Sequence, residues 1–214
     1  MPLTIQLGRA HYRPDPHERT AFRRVHWIRL PALVDETVLE RIEVGLRDAR
    51  FAEMRHDGVA ADSADLRAMG SSASELLVLL CNDPAVLRAI EDITECAPLT
   101  RFNGSIYRML PAAGHRQDWH DDLVDGRLVA LSVNLATSDY EGGVLEIRDR
   151  GAHGAIAQIP NTGKGDAVLF KLDASLEHRV TPVTGGVKTA FAGWFRRGTP
   201  LRDELCRGSI ELDS

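Results

Sequence analysis

Two residues of the sequence have the types and spacing of ligands to one divalent metal ion. His120 and Asp122 stand two positions apart, and side chains two apart on a β-strand point to the same face. An imidazole nitrogen and a carboxylate oxygen would then reach one ion, while Asp121 points away. With eight histidines and 31 acidic residues in the chain, about one His-x-Asp/Glu is expected by composition alone. By itself, this pair of residues is better explained as part of a surface turn with a solvated histidine than as a metal site.

A second histidine and a lysine strengthen the metal hypothesis. His178 follows the β-rich segment 166–172, and two histidines with one carboxylate form the facial triad of non-haem iron(II) oxygenases, which leaves adjacent coordination positions open. Those positions can take a bidentate 2-oxo acid and then dioxygen. The far carboxylate of that acid needs a cation, and Lys188 is one of only three lysines among 26 basic residues. A lysine suits this role as a compact point charge.

The segments around these residues resemble the 2-oxoglutarate/Fe(II)-dependent oxygenases, and within them the prolyl-4-hydroxylase-like branch. The resemblance covers about residues 100–197. Its matching flanks are Glu141-Gly-Gly-Val-Leu-Glu146, Lys164-Gly-Asp-Ala-Val-Leu-Phe170 and His178-Arg-Val-Thr-Pro-Val-Thr-Gly-Gly-Val-Lys188. Each motif is weak singly, but the set is specific.

The resemblance implies a role for each candidate residue. His120, Asp122 and His178 would ligate Fe(II), and Lys188 would bind the distal carboxylate of the cosubstrate 2-oxoglutarate. Tyr107 stands where the family often has a tyrosine that helps hold the cosubstrate, although its distance from His120 is longer than usual and a core aromatic role is the alternative. Related halogenases have a small residue in place of Asp122. The carboxylate therefore favours O2-dependent hydroxylation of an unactivated C–H bond, with release of succinate and CO2.

Several further side chains are candidates for the site because of their position in the sequence. Trp194 and Arg196 share the strand parity of Lys188, so both are placed toward the barrel interior, with core packing and a surface charge as the respective alternatives. Four residues beside the metal motif are candidates for the substrate entrance: His115, Arg116, Asp118 and Trp119. Segment 52–73 is predicted to be a loop, and segments 52–73 and 111–127 are candidate lids because they are long and polar.

Two other functions fit the same residues. The first is a cupin-like metal-binding protein or enzyme that does not use 2-oxoglutarate and so has no need of Lys188. The second is a scaffolding sandwich whose histidines are incidental. For the oxygenase, the family implies a small-molecule, amino-acid-like or peptidyl substrate. The short chain, without a peptide-binding repeat, favours a small substrate.

The periodicity of the chain predicts helices first and strands afterwards. Helices are predicted over 35–49, 74–81 and 83–96, with Asp35 and Asp83 as caps. A short strand is predicted over 25–30, and strands rich in β-formers over 102–110, 128–136, 144–148, 155–160, 167–172 and 187–195. The pattern indicates an α+β fold: a double-stranded β-helix (jelly-roll) core with an N-terminal helical layer.

Length and composition limit the class of protein. The 214 residues, 43% hydrophobic and 27% charged, predict one globular domain over 1–214, with helical support over about 1–99 and a catalytic core over about 100–198. The longest apolar run, 76–81, is too short for a membrane span, and a cytoplasmic protein is expected. A net charge of -5 with interspersed signs argues against a nucleic-acid partner. Three cysteines without a CxxC pair exclude a zinc finger or disulfide framework, and the oligomeric state stays unknown.

Overall fold

The computed structural model describes residues 3–7, 9–12, 15–55 and 63–203. Its helices are α1 (Pro16–Val25), α2 (Glu36–Arg47), α3 (Ser72–Cys81) and α4 (Pro84–Thr94), with a 3-10 turn at Pro111–Ala113. Its strands are β1 (Thr4–Gln6), β2 (Arg9–His11), β3 (Trp27–Leu30), β4 (Arg50–Arg55), β5 (Ala64–Met69), β6 (Arg101–Met109), β7 (Gln117–His120), β8 (Arg127–Asn134), β9 (Glu141–Gly142), β10 (Leu145–Asp149), β11 (Ala157–Ile159), β12 (Ala167–Lys171), β13 (Leu176–Val180), β14 (Val183–Gly185) and β15 (Lys188–Arg196). No described helix is long and apolar enough to cross a membrane.

Two antiparallel sheets form the jelly-roll. The main sheet has the strand order β3-β12-β8-β15-β6-β5-β4, and the minor sheet has the order β11-β10-β13-β7. Neighbouring strands are far apart in sequence, as in β10 against β13 and β8 against β12. The predicted double-stranded β-helix is therefore confirmed.

Hydrophobic cores lie on both faces of the main sheet. The first lies between the two sheets and includes Tyr107, Phe170 and Leu145. The second lies between the main sheet and the helices and includes Phe102 and Phe191, whose ring centroids are 5.5 Å apart. Successive residues of a strand point to opposite faces, so strands β6 and β15 contribute side chains to both layers.

The predicted helices are confirmed with their caps. Asp35 accepts a hydrogen bond from the backbone N–H of Thr37 at 2.9 Å, and Asp83 accepts one from that of Ala85 at 2.6 Å. Helix α1 is not among the predicted helices. It begins with the same signal as α4, an aspartate cap followed by proline at the first helical position.

The first 99 residues contribute strands as well as helices, and the sequence analysis predicts only the strand over 25–30 among them. Strand β3 pairs with β12, and the β4–β5 hairpin extends the main sheet beyond β6. Segment 52–73, predicted as a loop, contains the end of β4, all of β5 and the start of α3; residues 56–62 lie outside the described part. Most side chains of β4 are exposed, so the strand has no apolar alternation and is stabilised by its backbone pairing with β5.

At the centre of the β6–β15 pair, two facing glycines leave no room for an added methyl group. Gly104 pairs with Gly193, and a Cβ on Gly193 would lie 2.1 Å from the carbonyl oxygen of Asn103. We expect Gly193→Ala to lower the free energy of unfolding by about 1–3 kcal/mol, the usual cost of overpacking. Denaturant unfolding measures this change.

The matched control is Gly154→Ala, at a glycine where an added methyl group would have nothing within 4 Å and where the backbone is not left-handed. Its stability should change by less than about 0.5 kcal/mol. Equal stability of the two variants would contradict the tight contact between β6 and β15.

Candidate metal centre

The two candidate histidines lie directly opposite each other on paired strands of the minor sheet. His178 on β13 is the register partner of His120 on β7, and their ring centroids are 4.1 Å apart. Neither strand is among those predicted, and segment 111–127, a candidate lid, contains all of β7. The hydrophobic pattern of the sequence does not reveal these short strands, because their stability comes from pairing with β10 and with each other.

Asp122 completes the group, although not by the predicted route. It lies beyond the end of β7 in the left-handed region, at φ 56°, so strand alternation does not orient it. Its Oδ2 lies 3.5 Å from His120 Nε2 and 3.4 Å from His178 Nε2. Candidate ligand atoms of all three residues lie within 4.8 Å of one another, a spacing and donor set that fit one ion of the Fe(II) type.

The electrostatics of the group favour metal binding. Burial alone would raise the pKa of Asp122, but hydrogen bonds and charges from His120 and His178 hold it well below its ordinary value. Burial lowers the pKa of His178. Burial also lowers the pKa of His120, but its contacts with Asp122 raise that pKa by more, so it lies above its ordinary value. An anionic carboxylate and a neutral imidazole are the forms that coordinate metal, and His120 would release its proton on binding.

Neighbouring groups hold the ligands in orientation. His120 Nδ1 lies 2.6 Å from the backbone oxygen of Asp118, which leaves Nε2 directed at Asp122. The indole Nε1 of Trp194 donates to Asp122 Oδ2 at 2.7 Å, and Arg127 Nη1 donates to Oδ1 at 3.2 Å. The Arg127 guanidinium lies 3.7 Å from the centre of the Trp194 ring. The sequence prediction placed Trp194 toward the interior but missed Arg127, which no local motif marks.

Lys188 lies in the same cavity as the three ligands. This cavity has a volume of about 570 Å³. The lysine is buried, its Nζ donates to the carbonyl oxygen of Gly143 at 2.5 Å, and burial lowers its pKa to about 8. A Cβ at Gly143 would lie 2.9 Å from Lys188 Cδ, so the Glu141-Gly-Gly turn makes room for the lysine side chain.

Tyr107 also lines this cavity. It pairs with Ala190 on β15, two residues from Lys188 and on the same face. Its hydroxyl interacts with Ser132, and burial raises its pKa to about 12. The structure thus brings together all five residues predicted for the site, with Tyr107 both in the core and at the cavity wall.

The predicted entrance residues do not line the cavity. His115 is buried, and its Nδ1 accepts a hydrogen bond from the Leu110 backbone N–H at 3.0 Å. Trp119 lies under the guanidinium groups of Arg148 and Arg179, at 4.2 and 4.7 Å. Among the residues that the structure describes, the cavity lining contains neither these two nor Arg116, Asp118 or Arg196. Trp119 is the neighbour of His120 on β7, so strand alternation turns its side chain to the opposite face.

Comparison with known proteins identifies the family. The model of the 2OG-Fe(II) oxygenase superfamily matches residues 104–196. A PKHD-type hydroxylase of Idiomarina loihiensis is 25% identical over 167 residues, which cover 75% of this chain and 73% of the relative. The chain belongs to the 2OG-Fe(II) oxygenase superfamily.

Solved structures agree on the fold. An oxidoreductase of this family from Burkholderia pseudomallei superposes with a TM-score of 0.66 at 16% identity, covering 89% of this chain and 96% of the other. A prolyl-4-hydroxylase of Pseudomonas putida gives 0.60 at 17% identity, covering 85% and 98%. This oxygenase is a 2-oxoglutarate-dependent enzyme that requires Fe(II) and O2. Membership in this superfamily favours a 2-oxoglutarate-dependent oxygenase over a cupin-like metal-binding protein and over a scaffolding sandwich.

The indole of Trp194 provides a test of the support for Asp122. We expect Trp194→Phe to weaken Fe(II) affinity by about 10- to 100-fold, the usual effect of losing a hydrogen bond to a metal ligand. Anaerobic competition with a coloured chelator measures the affinity.

Trp119→Phe is the matched control, because it removes an indole on the other side of β7 and touches no predicted ligand. Its Fe(II) affinity should match that of the wild type. If Trp194→Phe bound Fe(II) as tightly as this control, the Trp194 hydrogen bond would have no role in holding the ligand.

Proposed function

We propose that His120, Asp122 and His178 hold the Fe(II) of this oxygenase and that the enzyme hydroxylates a C–H bond of its substrate. One observation carries the proposal: the three donor groups, within 4.8 Å of one another, line the same cavity as the buried Lys188. Fe(II) held by these residues would supply the position at which 2-oxoglutarate, O2 and the substrate C–H bond react, one oxygen atom entering succinate, released with CO2, and the other entering the hydroxylated product. Retention of a carboxylate at Asp122 supports hydroxylation rather than halogenation.

The surrounding residues bind and orient the cosubstrate. Lys188 would pair with the distal carboxylate of 2-oxoglutarate, replacing its bond to the Gly143 carbonyl with a charge-assisted one. Tyr107 would hold the cosubstrate from the neighbouring strand. Trp194 and Arg127 keep the Asp122 carboxylate in place.

The cavity supports a small or residue-sized substrate group. Its volume of about 570 Å³ lies in the usual range for small-molecule sites. Met54 and Val124 form part of its lining and are 45% and 53% exposed, so they provide an apolar rim at the opening. We propose a small-molecule, amino-acid-like or peptidyl substrate, in keeping with a relative that is a PKHD-type hydroxylase and a neighbour solved with a peptide fragment.

We propose that residues 1–214 form one oxygenase domain with its catalytic core over about 100–198. Strands β3, β4 and β5 of the first 99 residues lie in the same main sheet as β6, β8, β12 and β15. A sheet shared in this way supports one folding unit, since neither part could keep its edge strands paired alone.

Removal of one ligand should abolish turnover. We expect Asp122→Ala and His178→Ala to release succinate from 2-oxoglutarate at less than about 1% of the wild-type rate, because losing a ligand exceeds the effect of losing its support. A screen of amino acids and short peptides, with succinate as the readout, first identifies a substrate that stimulates the wild type.

The control is His153→Ala, at an exposed histidine, which should keep full activity. Undiminished succinate release by both ligand variants would overturn the assignment of the metal site.

The KM for 2-oxoglutarate should depend on pH through Lys188. Because burial lowers the pKa of Lys188 to about 8, the free enzyme loses the ammonium charge as pH rises through that value. The carboxylate binds the charged form, so the KM should be flat below about pH 8 and rise above it. Initial rates at varied 2-oxoglutarate concentration measure this.

Lys188→Ala should have a KM raised by about 30-fold or more at neutral pH, since truncating one partner of a buried charge pair costs about 2 kcal/mol or more. It should also lack the rise above pH 8. Lys171→Ala, at a half-buried lysine that is paired with Asp173 and lies outside the cavity lining, is the control and should behave like the wild type. A KM for Lys188→Ala equal to that of the control would contradict the role of Lys188.

A further inference from the structure

A second cavity lies on the opposite face of the main sheet from the metal centre. Its volume is about 240 Å³, and helix α2 forms one wall. Strands β6 and β15 form the floor, where Arg108 pairs with Thr189 in the ladder. Each is the chain neighbour of a proposed cosubstrate residue, Tyr107 or Lys188, and alternation turns it to the other face. This cavity is therefore separate from the oxygenase site.

The polar lining of this cavity is mostly basic. It consists of Glu43, Arg47, Arg108, Lys164, Thr137 and Thr189, whereas the apolar lining is leucine and isoleucine, mostly from the α2 wall. Lys164 is paired with Glu43, so the formal charges of Arg47 and Arg108 are not balanced within the lining. In the described part of the chain, neither arginine lies within 4.0 Å of a carboxylate in any ion pair. A chain with a net charge of -5 thus has a locally positive cavity.

Arg108 is the least satisfied of these groups. Its Nε is buried without a hydrogen-bond partner, and burial lowers its pKa with no opposing carboxylate. The guanidinium lies 4.0 Å from the centre of the Phe51 ring, which limits its reorientation. A buried charged donor without a partner is unfavourable, and an oxyanion is the ligand that would satisfy it.

We propose that this cavity binds a small organic oxyanion, a carboxylate or a phosphate monoester. Arg108 and Arg47 would pair with the anionic group, the hydroxyls of Thr137 and Thr189 would donate to its remaining oxygens, and the apolar side chains of the α2 wall would contact the short organic part. The volume limits the ligand to a few carbon atoms beyond the anionic group.

We expect a ligand bound in the second cavity to affect the oxygenase site through strands β6 and β15. A ligand that holds Arg108 and Thr189 restrains β6 and β15, and the same strands position Tyr107 and Lys188. Coupling of two binding sites is reciprocal, so the oxyanion should change the affinity for 2-oxoglutarate. This consequence depends on the proposed function, whereas binding of the oxyanion itself does not.

Isothermal titration of the full-length protein with methyl phosphate and, separately, butyrate tests the site. We expect saturable binding of at least one probe to the wild type, and the stronger probe distinguishes a phosphate site from a carboxylate site. Arg108→Gln and Arg47→Gln should each weaken it by at least about fivefold. Arg47 is exposed, so its variant should fold even if Arg108→Gln does not. The control is Arg41→Gln, at an exposed arginine of the same helix outside the lining.

Two results would overturn the proposal. Absence of saturable binding by both probes would exclude the site, and equal binding by the Arg47, Arg108 and Arg41 variants would place the anion elsewhere.

Anaerobic titration of 2-oxoglutarate into the Fe(II)-loaded protein then tests the coupling. We expect the better probe to change this affinity at least about twofold in the wild type and not in Arg47→Gln, and an unchanged affinity would refute the coupling. A wild type that fails to bind 2-oxoglutarate at all would instead refute the proposed function.

Discussion

The metal centre depends on the pairing of β7 with β13, which sets His120 against His178. Two histidines on adjacent strands are held by the ladder, but the carboxylate has to approach both from outside it. Asp122 does so from a left-handed conformation, which costs a non-glycine residue about 1–2 kcal/mol. Hydrogen bonds to a charged group contribute about 1.5–3 kcal/mol each, and Trp194 and Arg127 each donate one. Together these bonds outweigh the backbone cost.

Because side chains alternate along its strands, the main sheet packs against the helices with one face and lines the metal cavity with the other. On β15, Phe191 and Phe195 pack in the core shared with the helices, while Lys188 and Trp194 face the metal cavity. The helical side therefore holds the two phenylalanines of β15, and the cavity side of the same strand can carry polar residues. A buried lysine with only a backbone carbonyl as its described hydrogen-bond partner is tolerated in this setting.

The site was easier to predict from the sequence than the elements that position it. Metal ligands come from few residue types, so His120, Asp122 and His178 could be proposed from their order and flanking motifs, and the structure brings their donor atoms within 4.8 Å of one another. Arg127 could not, because an arginine has many roles and its contact with Trp194 joins residues far apart in the chain. Strand β4 was missed for a related reason: its exposed side chains carry no period, and only the partner strand stabilises it.

The geometry around residue 188 also explains the choice of lysine in a chain that otherwise uses arginine. The side chain passes Gly143 so closely that a single added carbon there would lie 2.9 Å from Cδ. An ammonium on a flexible stem can follow this path, whereas a planar guanidinium presents five donors in a rigid fork and needs more room. Burial lowers the pKa of that ammonium to about 8, and a bound carboxylate would oppose this effect. The narrow passage thus favours a point charge whose protonation is stabilised by the ligand it binds.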